Sequence, residues 1–290
     1  MNLISTLDSL DIHTVATEQA FGTHNLNNDK DDNTFRWCGY EWECCMEGGR
    51  IIHEDYPWYW MSKNMVVKVY EAVDGEVNIM LALSMKDEIN NVECWNGNTY
   101  SPLKACGTIR SVQPFSFGTF SADIVLPQGY NLWPSFWLSG DGNWPPEIDI
   151  MEAWIYENRP FRLLTPQFPY INPGWKTTTN VHYLDDNKVK SACGSRNISI
   201  FKQCKNPCKN FVNYKVDWRP DSITFYVNDK VVRRIGSEVS EDLIKNLNKP
   251  EKGYLMDVIF NVWCEDPSKY NVEMISPMLI KNFKYTPMEE

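Results

Sequence analysis

The chain has 290 residues, 43% of them apolar and 13% aromatic, and its formal net charge of −10 gives a pI near 5.0. This length suits one large β domain or two small ones, and the apolar fraction is sufficient for a hydrophobic core. Because the chain lacks the basic footprint of nucleic-acid-binding proteins, no nucleic-acid partner is predicted. No apolar stretch reaches the roughly 18 residues of a membrane span, so no membrane partner is predicted either.

The N-terminal region is polar and shows no periodicity up to about residue 35. The sequence therefore predicts an arm over residues 1–35 and a single β domain over residues 36–290. Its first residues lack the basic start and the apolar run of a secretory leader. An aromatic cluster follows, which either covers one end of a cleft or packs the arm against the domain. Its members are Trp37, Tyr40, Trp42, Tyr56, Trp58, Tyr59 and Trp60.

Short strands separated by Gly and Pro turns fill most of the remaining chain, which predicts an all-β sandwich. Residues 64–70 and 76–84 form a predicted hairpin around an Asp-Gly turn. Helical spacing of apolar residues predicts one short helix over residues 237–248. The other predicted strands cover residues 120–126, 132–138, 147–152, 177–183, 214–218, 222–227, 231–235, 255–262 and 277–285.

The segment over residues 147–152 reads Glu-Ile-Asp-Ile-Met-Glu, and it begins with the period-two alternation of a half-buried strand. A regular strand would expose Met151 beside the carboxylates and bury Glu152 beside the isoleucines. One β-bulge at Ile150-Met151 corrects both placements, because an extra residue shifts the alternation by one. The sequence therefore predicts three carboxylates on one strand face.

Three acids on one face have three possible explanations. Crowding can push their pKa values apart, so that one carboxyl stays protonated while another is ionised, as acid/base catalysis requires. Glycoside hydrolysis uses such a pair, and a retaining enzyme needs them about 5–5.5 Å apart. The alternatives are an amphipathic strand with a solvated acidic face and a site for a hard cation.

The same six residues resemble the catalytic signature of family 16 glycoside hydrolases in its bulged form, Glu-x-Asp-x-x-Glu. Residues 117–120, 126–129 and 132–138 resemble the block that precedes this signature, and residues 211–235 resemble later paired strands. The resemblance implies a concanavalin A-like jelly roll of two curved antiparallel sheets with an open substrate cleft. It also implies that residues 36–290 form a catalytic domain for endo-acting, retaining hydrolysis of a β-glucan or an algal galactan.

By this resemblance, Glu147 is the nucleophile, Asp149 assists it by sharing a proton, and Glu152 is the acid/base. Further predicted substrate-binding residues are Trp133, Trp137, Trp144, His182 and Asn261. Flat indole rings stack on the apolar faces of sugars, and polar neighbours bind the hydroxyl groups. The resemblance implies a polysaccharide substrate, a monomer, an extracellular location, and neither a cofactor nor a metal.

Two departures from the family pattern bear on the substrate. Ser121 and Asp123 replace an acid and an arginine of the family pattern, which puts a glucan-like sugar subsite in question. Lys281 replaces an aspartate of the family pattern, so a structural calcium site that uses this aspartate is not expected. Six basic residues and no acid occur over residues 187–210, where a solvated excursion or a rim for an anionic polysaccharide is expected.

Nine cysteines leave at least one unpaired within a monomer, and their spacing does not indicate a zinc site. The sequence favours free thiols, with disulfides between residues 193 and 208 as the alternative. For function, a carbohydrate-binding protein without turnover and a calcium-dependent adhesion protein remain as alternatives to the glycosidase.

Overall fold

The computed structural model describes most of the chain, and strands dominate the described part. The described residues are 18–20, 34–44, 59–61, 65–73, 76–87, 91–93, 98–101, 104–140, 144–154, 176–186, 188–192, 198–199, 207–247, 255–264 and 273–289. Within these ranges, no helix combines the length and the apolar character needed to cross a membrane.

The strands are short and follow one another closely along the chain, as the turn-rich sequence predicts. In chain order they are β1 (Glu18–Ala20), β2 (Thr34–Trp37), β3 (Tyr40–Cys44), β4 (Tyr59–Met61), β5 (Val66–Val73), β6 (Glu76–Leu83), β7 (Met85–Asp87), β8 (Val92–Glu93), β9 (Thr99–Tyr100), β10 (Lys104–Cys106), β11 (Thr108–Ser111), β12 (Gly118–Val125), β13 (Gln128–Tyr130), β14 (Leu132–Gly140), β15 (Glu147–Trp154), β16 (Lys176–Asp185), β17 (Lys188–Ser191), β18 (Ile198–Ser199), β19 (Val212–Trp218), β20 (Ser222–Val227), β21 (Lys230–Gly236), β22 (Met256–Cys264), β23 (Glu273–Ser276) and β24 (Met278–Pro287). The helix α1 (Ser237–Leu247) lies where the sequence predicts it.

Two large antiparallel sheets form the sandwich, which confirms the predicted jelly-roll fold class. The front sheet has the strand order β17-β16-β15-β14-β22-β11-β3-β2, and β18 also pairs with β16. The back sheet has the order β1-β5-β6-β24-β12-β19-β20-β21. The predicted signature strand is β15, which therefore lies inside the front sheet with a paired neighbour on each side.

Alternation along the strands explains why the two sheets pack face to face. In β14, Phe136 is fully buried, while Trp133 and Trp137 on the other face are partly exposed. Phe136 stacks on Phe260 of β22 with ring centroids 4.4 Å apart, and Phe283 of the back sheet lies 6.0 Å from Phe260. The core therefore lies between the sheets, and the opposite side of the front sheet, called the front face below, carries the polar side chains.

The predicted N-terminal arm joins the sandwich wherever it is described. Glu18–Ala20 pairs with β5 at one edge of the back sheet, and Thr34–Trp37 forms the last strand of the front sheet. A strand of three residues is too short to show periodicity, so the pairing of Glu18–Ala20 could not be predicted from local pattern. Trp37 and Trp42 are buried in the core, which favours the packing interpretation for these two rings. Residues 56–58 of the predicted cluster lie outside the described residues.

Part of the cysteine prediction can be compared with the structure. Cys38 and Cys106 carry free thiols, and burial raises the pKa of the Cys106 thiol well above its ordinary value. The thiol of Cys208 donates a hydrogen bond to the carbonyl oxygen of Pro127 at 3.3 Å. Residues 193–197 and 200–206 lie outside the described residues, so disulfides in this segment remain a prediction.

Gly118, at the start of β12, lies close to the backbone of β24, and a substitution at this position tests that packing. A Cβ atom at this position would overlap the carbonyl oxygen of Thr286 and would lie 3.1 Å from the Cα of Pro287. We expect Gly118→Ala to lower the free energy of unfolding by about 1–3 kcal/mol, because backbone atoms must move to admit the methyl group. Urea unfolding measures this, with Ser121→Ala on the same strand as the control. Equal unfolding midpoints for the two variants would contradict the close approach.

Candidate active site

Strand β15 contains the bulge that the sequence predicts. On the β14 side, the consecutive residues Phe136 and Trp137 pair with Met151 and Asp149, which leaves Ile150 as the extra residue. The pairing with β16 shifts over the same segment. The prediction of one bulge at Ile150-Met151 is therefore confirmed, and the alternation along β15 changes by one residue at this point.

The bulge places three carboxylates, Glu147, Asp149 and Glu152, among side chains of the front face. Asp149 and Glu152 are only 3% and 8% exposed, so their carboxylates need hydrogen-bond partners within the protein. The apolar residues between them belong to the core between the sheets: Ile148, Ile150 and Met151. One strand therefore contributes both to the core and to the row of acids.

Indole groups hold the two outer carboxylates. Trp144 Nε1 donates to Glu147 Oε2 at 2.8 Å, and Trp133 Nε1 donates to Glu152 Oε1 at 3.0 Å. Trp144 is 56% exposed and Trp133 is partly exposed, so both rings also offer surface to a ligand. The sequence predicted these residues as stacking platforms, and the structure shows that they also hydrogen-bond to the predicted catalytic carboxylates.

A hydrogen bond to the buried side chain of Asn261 orients Trp137. Its Nε1 donates to Asn261 Oδ1 at 2.7 Å, and the Asn261 side chain is fully buried. This position favours support of Trp137 over the direct sugar contact predicted for Asn261. Trp263 packs against both Trp133 and Trp137 with ring centroids 6.1 Å away, and its Nε1 donates to Thr108 Oγ1. Sequence reasoning missed Trp263, because only strand pairing brings β22 beside β14.

His182 of β16 lies beside the first two carboxylates. Its Nε2 atom is 3.3 Å from Glu147 Oε1 and 3.5 Å from Asp149 Oδ2. Asn180 Nδ2 lies 2.9 Å from the same Nε2, and Ser191 Oγ of β17 lies 2.7 Å from Nδ1. The structure thus brings the predicted His182 beside Glu147 and Asp149. These two carboxyls and that of Glu152 are called the triad below. Asn180 is two residues earlier on the same strand face, so alternation could have identified it, whereas nothing local identifies Ser191.

Burial raises the pKa of all three carboxyls. The pKa of Glu147 rises to about 8 through burial and the charge of Asp149, which outweigh the lowering effects of the positive charge that a protonated His182 would carry and of the indole hydrogen bond. Burial raises the pKa of Glu152 to about 7, although its indole hydrogen bond lowers it. Burial and the charge of Glu152 raise the pKa of Asp149 well above its ordinary range. Because such close groups titrate together, the triad retains protons near neutral pH.

Glu147, Asp149 and His182 are also residue types that bind divalent cations, and their ligand atoms lie within 4.8 Å of one another. However, the amide of Asn180 donates toward Nε2 of His182 at 2.9 Å. A metal needs the lone pair of that nitrogen, so Asn180 competes with any cation for it. The sequence-based expectation of neither metal nor cofactor remains a prediction.

The two departures from the family pattern lie on the back sheet, whereas the three carboxyls lie on the front sheet. Ser121 and Asp123 belong to β12 of the back sheet, where Asn213 Nδ2 and Asn282 Nδ2 each donate to the Asp123 carboxylate at 2.8 Å. The interpretation that these substitutions alter a sugar subsite is therefore not supported. Lys281, in the paired strand β24, lies over a phenylalanine ring with its ammonium 4.3 Å from the centroid.

The basic segment over residues 187–210 is described only in part. Lys188 and Lys190 are exposed on β17, and Lys190 forms an ion pair with Asp185, which compensates its charge. The basic residues of the segment that lie outside the described part are Arg196, Lys202 and Lys205. A rim for an anionic polysaccharide therefore remains a prediction.

The raised carboxyl pKa values predict an unusual dependence of stability on pH. Between the ordinary glutamate value of 4.5 and about 8, native Glu147 holds a proton that the unfolded chain has released. The free energy of unfolding therefore falls as pH rises through this window. We expect Glu147→Gln to flatten the decline and to be more stable than wild type at pH 8, by at least about 1 kcal/mol.

Urea unfolding at several pH values between 5 and 8 measures this effect. Glu241→Gln, at an exposed position of helix α1, is the control and should keep the wild-type slope. A Glu147→Gln slope equal to that of wild type would show that burial does not hold a proton at this carboxyl.

Comparison with known proteins agrees with this geometry. The family model for glycosyl hydrolases family 16 matches residues 53–274. A glucan endo-1,3-beta-glucosidase of Cryptopygus antarcticus is 29% identical over 151 residues, which cover 49% of each chain. An endo-1,3-1,4-beta-glycanase of Rhizobium meliloti is 27% identical over 121 residues, or 41% of this chain and 21% of that protein. The chain thus spans half or less of the length of these two curated relatives.

Solved structures share the fold at low sequence identity. A family 16 protein from the mixed-linkage glucan locus of Bacteroides ovatus, in complex with the product G4G4G3G, aligns with a TM-score of 0.55 and 17% identity, covering 93% of this chain and 99% of that one. The laminarinase catalytic domain of Thermotoga maritima aligns with a TM-score of 0.56 and 15% identity, covering 96% and 99%. The family model covers most of the chain and includes the bulged strand, so the chain belongs to glycosyl hydrolases family 16.

Proposed function

We propose that this chain is an endo-acting retaining glycosidase that hydrolyses a neutral β-glucan through a covalent glycosyl-enzyme. One observation carries the proposal. Glu147 and Glu152 lie on the same face of the bulged strand, each held by an indole N–H and each with a pKa near neutrality. Carboxyls in this condition can supply a proton in one step and a negative charge in another.

In the proposed reaction, Glu147 attacks the anomeric carbon as a carboxylate. Asp149 shares a hydrogen bond with Glu147, so the two carboxyls hold one proton between them near neutral pH. This proton moves to Asp149 as Glu147 attacks, which leaves the attacking carboxyl ionised beside a protonated neighbour. As the glycosyl ester forms, the charge of Glu147 disappears. This division of roles follows from position, because Asp149 is the middle and most buried of the three acids.

Glu152 supplies and recovers the proton. With a pKa of about 7, it is protonated in a large share of molecules near neutral pH and can donate to the departing glycosidic oxygen. As a carboxylate it then removes a proton from the incoming water, which attacks the glycosyl ester and releases Glu147. The hydrogen bond from Trp133 fixes its direction in both steps.

A neutral glucan fits the described surroundings of the triad better than a sulfated galactan. Among the described residues, indoles and an imidazole contact the carboxyls, and the amide of Asn180 contacts that imidazole. On the same sheet, Arg110 is engaged by Glu43 at 2.6 Å and Asp257 at 3.7 Å, so its charge is compensated. One relative is named a glucan endo-1,3-beta-glucosidase and another an endo-1,3-1,4-beta-glycanase, and the first name supports the same substrate class.

Product release from a polysaccharide panel tests the function. The panel contains laminarin, mixed-linked glucan, agarose, porphyran and carrageenan, and reducing ends and product sizes are measured. We expect mixed-length oligosaccharides from laminarin or mixed-linked glucan, and a loss of roughly 10²-fold or more in Glu152→Gln. In Glu147→Gly with an activated β-glycoside, azide should restore turnover and give the α-glycosyl azide, since it attacks from the side of the missing nucleophile.

The controls separate the possible failures. Glu241→Gln should retain wild-type turnover because it lies on the exposed surface of α1. Release from a sulfated galactan alone would overturn the neutral-glucan assignment. Binding of a polymer without release, unchanged in Glu147→Gln, would instead identify a carbohydrate-binding protein on this fold.

The indole donors predict shifts in the pH profile of kcat/KM. The Trp133 hydrogen bond lowers the pKa of Glu152, so Trp133→Phe removes that effect and raises this pKa. Because the acid/base must be protonated in the first step, we expect the alkaline limb to move to higher pH. Trp137→Phe is the matched control, because its indole donates to Asn261 and should leave the limb in place. Equal shifts in both variants would contradict the assignment.

A further inference from the structure

The ring of His182 has two nitrogens with different neighbours, and the position of its proton decides what faces the carboxylates. A neutral imidazole donates from one nitrogen and accepts at the other. Nε2 lies near Glu147 and Asp149, whereas Nδ1 lies near Ser191. Either a proton or a lone pair can therefore point into the triad, and the neighbouring donors and acceptors determine which one does.

The orientation of the Asn180 side chain is fixed by the backbone. Asn180 Oδ1 accepts a hydrogen bond from the Val181 N–H at 2.9 Å. Rotating the amide by half a turn would place its NH₂ group against that N–H, so that two donors would face each other. The oxygen must therefore stay on the backbone side, and Nδ2 must point toward His182.

This orientation determines the tautomer of His182. Asn180 Nδ2 has only hydrogens to offer and lies 2.9 Å from Nε2, so Nε2 must accept. The ring proton then resides on Nδ1 and is donated to Ser191 Oγ at 2.7 Å. A serine hydroxyl can rotate to donate or to accept, so Ser191 does not select the tautomer.

We propose that Asn180 is a positioning residue that fixes His182 as the neutral Nδ1–H tautomer, so that Nε2 accepts from the Asn180 amide and presents no proton to Glu147 and Asp149. The proposal deepens the retaining glycosidase mechanism and rests on it for its catalytic consequence. The assignment of the tautomer itself depends only on the hydrogen bonds around the ring.

The groups around His182 would favour a proton on Nε2 if Asn180 did not donate to this atom. Glu147 and Asp149 of β15 place acceptor oxygens 3.3 and 3.5 Å from Nε2, and Ser191 of β17 faces Nδ1. The charge of Glu152 lies further along the same strand, and the Trp144 ring lies 5.8 Å away. Without Asn180, the carboxylates would draw a proton onto Nε2.

A proton on Nε2 would change the chemistry of the pair. An N–H donor at this position would stabilise the ionised forms of both Glu147 and Asp149. The pair would then hold its shared proton less tightly. It would also hydrogen-bond to Oε1 of Glu147, which reduces the reactivity of that oxygen as a nucleophile. By occupying Nε2 with a neutral donor, Asn180 keeps the shared proton on the carboxyl pair.

Ring ¹⁵N NMR of the whole chain tests the tautomer directly. The chain contains four histidines, and the signals lost in His182→Gln identify those of His182. In wild type at neutral pH we expect a pyridine-like shift for Nε2 and a pyrrole-like shift for Nδ1. Asn180→Asp keeps the shape of the side chain but replaces the donor by an acceptor, so the two shifts should exchange. Ser191→Ala is the control and should retain the wild-type pattern.

Kinetics then tests the catalytic consequence. We expect Asn180→Asp to lower kcat on the glucan by roughly tenfold or more while changing KM by less than about threefold. Asn180→Ala removes the donor without adding a carboxylate, so it should shift the tautomer and kcat in the same direction. This second variant also serves if Asn180→Asp does not fold.

The possible results test the tautomer, its role in the reaction and the proposed function separately. A pyrrole-like Nε2 in wild type, or an unchanged pattern in both Asn180 variants, overturns the tautomer assignment. An exchanged pattern with unchanged kcat overturns the positioning role in the reaction. If the wild type releases no product from any glucan, the proposed function fails, but the NMR result still decides the tautomer.

Discussion

Burial of three carboxyls on one face of one strand is the constraint on which the active-site geometry depends. The bulge in β15 creates it, because only the extra residue puts Glu152 on the face of Glu147 and Asp149. A row of buried acids is unfavourable as three free charges, so the neighbouring strands must supply donors. β14 supplies the indole N–H of Trp133, and β16 places His182 with its partner Asn180 beside Glu147 and Asp149. The position of β15 inside the front sheet, paired on both sides, is therefore a requirement of the site.

Much of this arrangement could be predicted from local pattern. The misplacement of Met151 and Glu152 in a regular strand was enough to locate the bulge. Alternation alone assigned Trp133 and Trp137 to one face of β14, and Gly/Pro spacing identified the sandwich. For the bulge and the two indoles the information lies within one strand, where a period of two determines the direction of every side chain.

The parts that sequence missed depend on register between strands or on which sheet a strand enters. Ser191 reaches His182 only because β17 folds back onto β16, and Trp263 reaches Trp133 through the pairing of β22 with β14. Asp123 was misinterpreted for the same reason, since family resemblance gives a position along the chain but not the face on which this side chain lies. The burial of individual side chains could not be predicted either. Asn261 was predicted to bind the substrate in the cleft, but it lies buried beneath Trp137.

The kind of donor at the site explains why burial of the acids is useful. An arginine or lysine beside the triad would hold the carboxyls ionised, because an opposite charge lowers their pKa values. Arg110, a cation of β11 on the same sheet, lies three strands away from Asp149 along the pairing Asp149–Trp137–Ile259–Arg110, about 14 Å at ordinary strand spacing. It is also engaged by its own acids.

Indole donors have a different effect. They fix the direction of Glu147 and Glu152, yet they carry no net charge, so burial still dominates and the pKa values of these two carboxyls stay near neutrality. A double displacement needs one carboxyl charged and another protonated at the same pH. Neutral donors around buried acids satisfy both needs at once, whereas a cation in the same place would favour only the charged form.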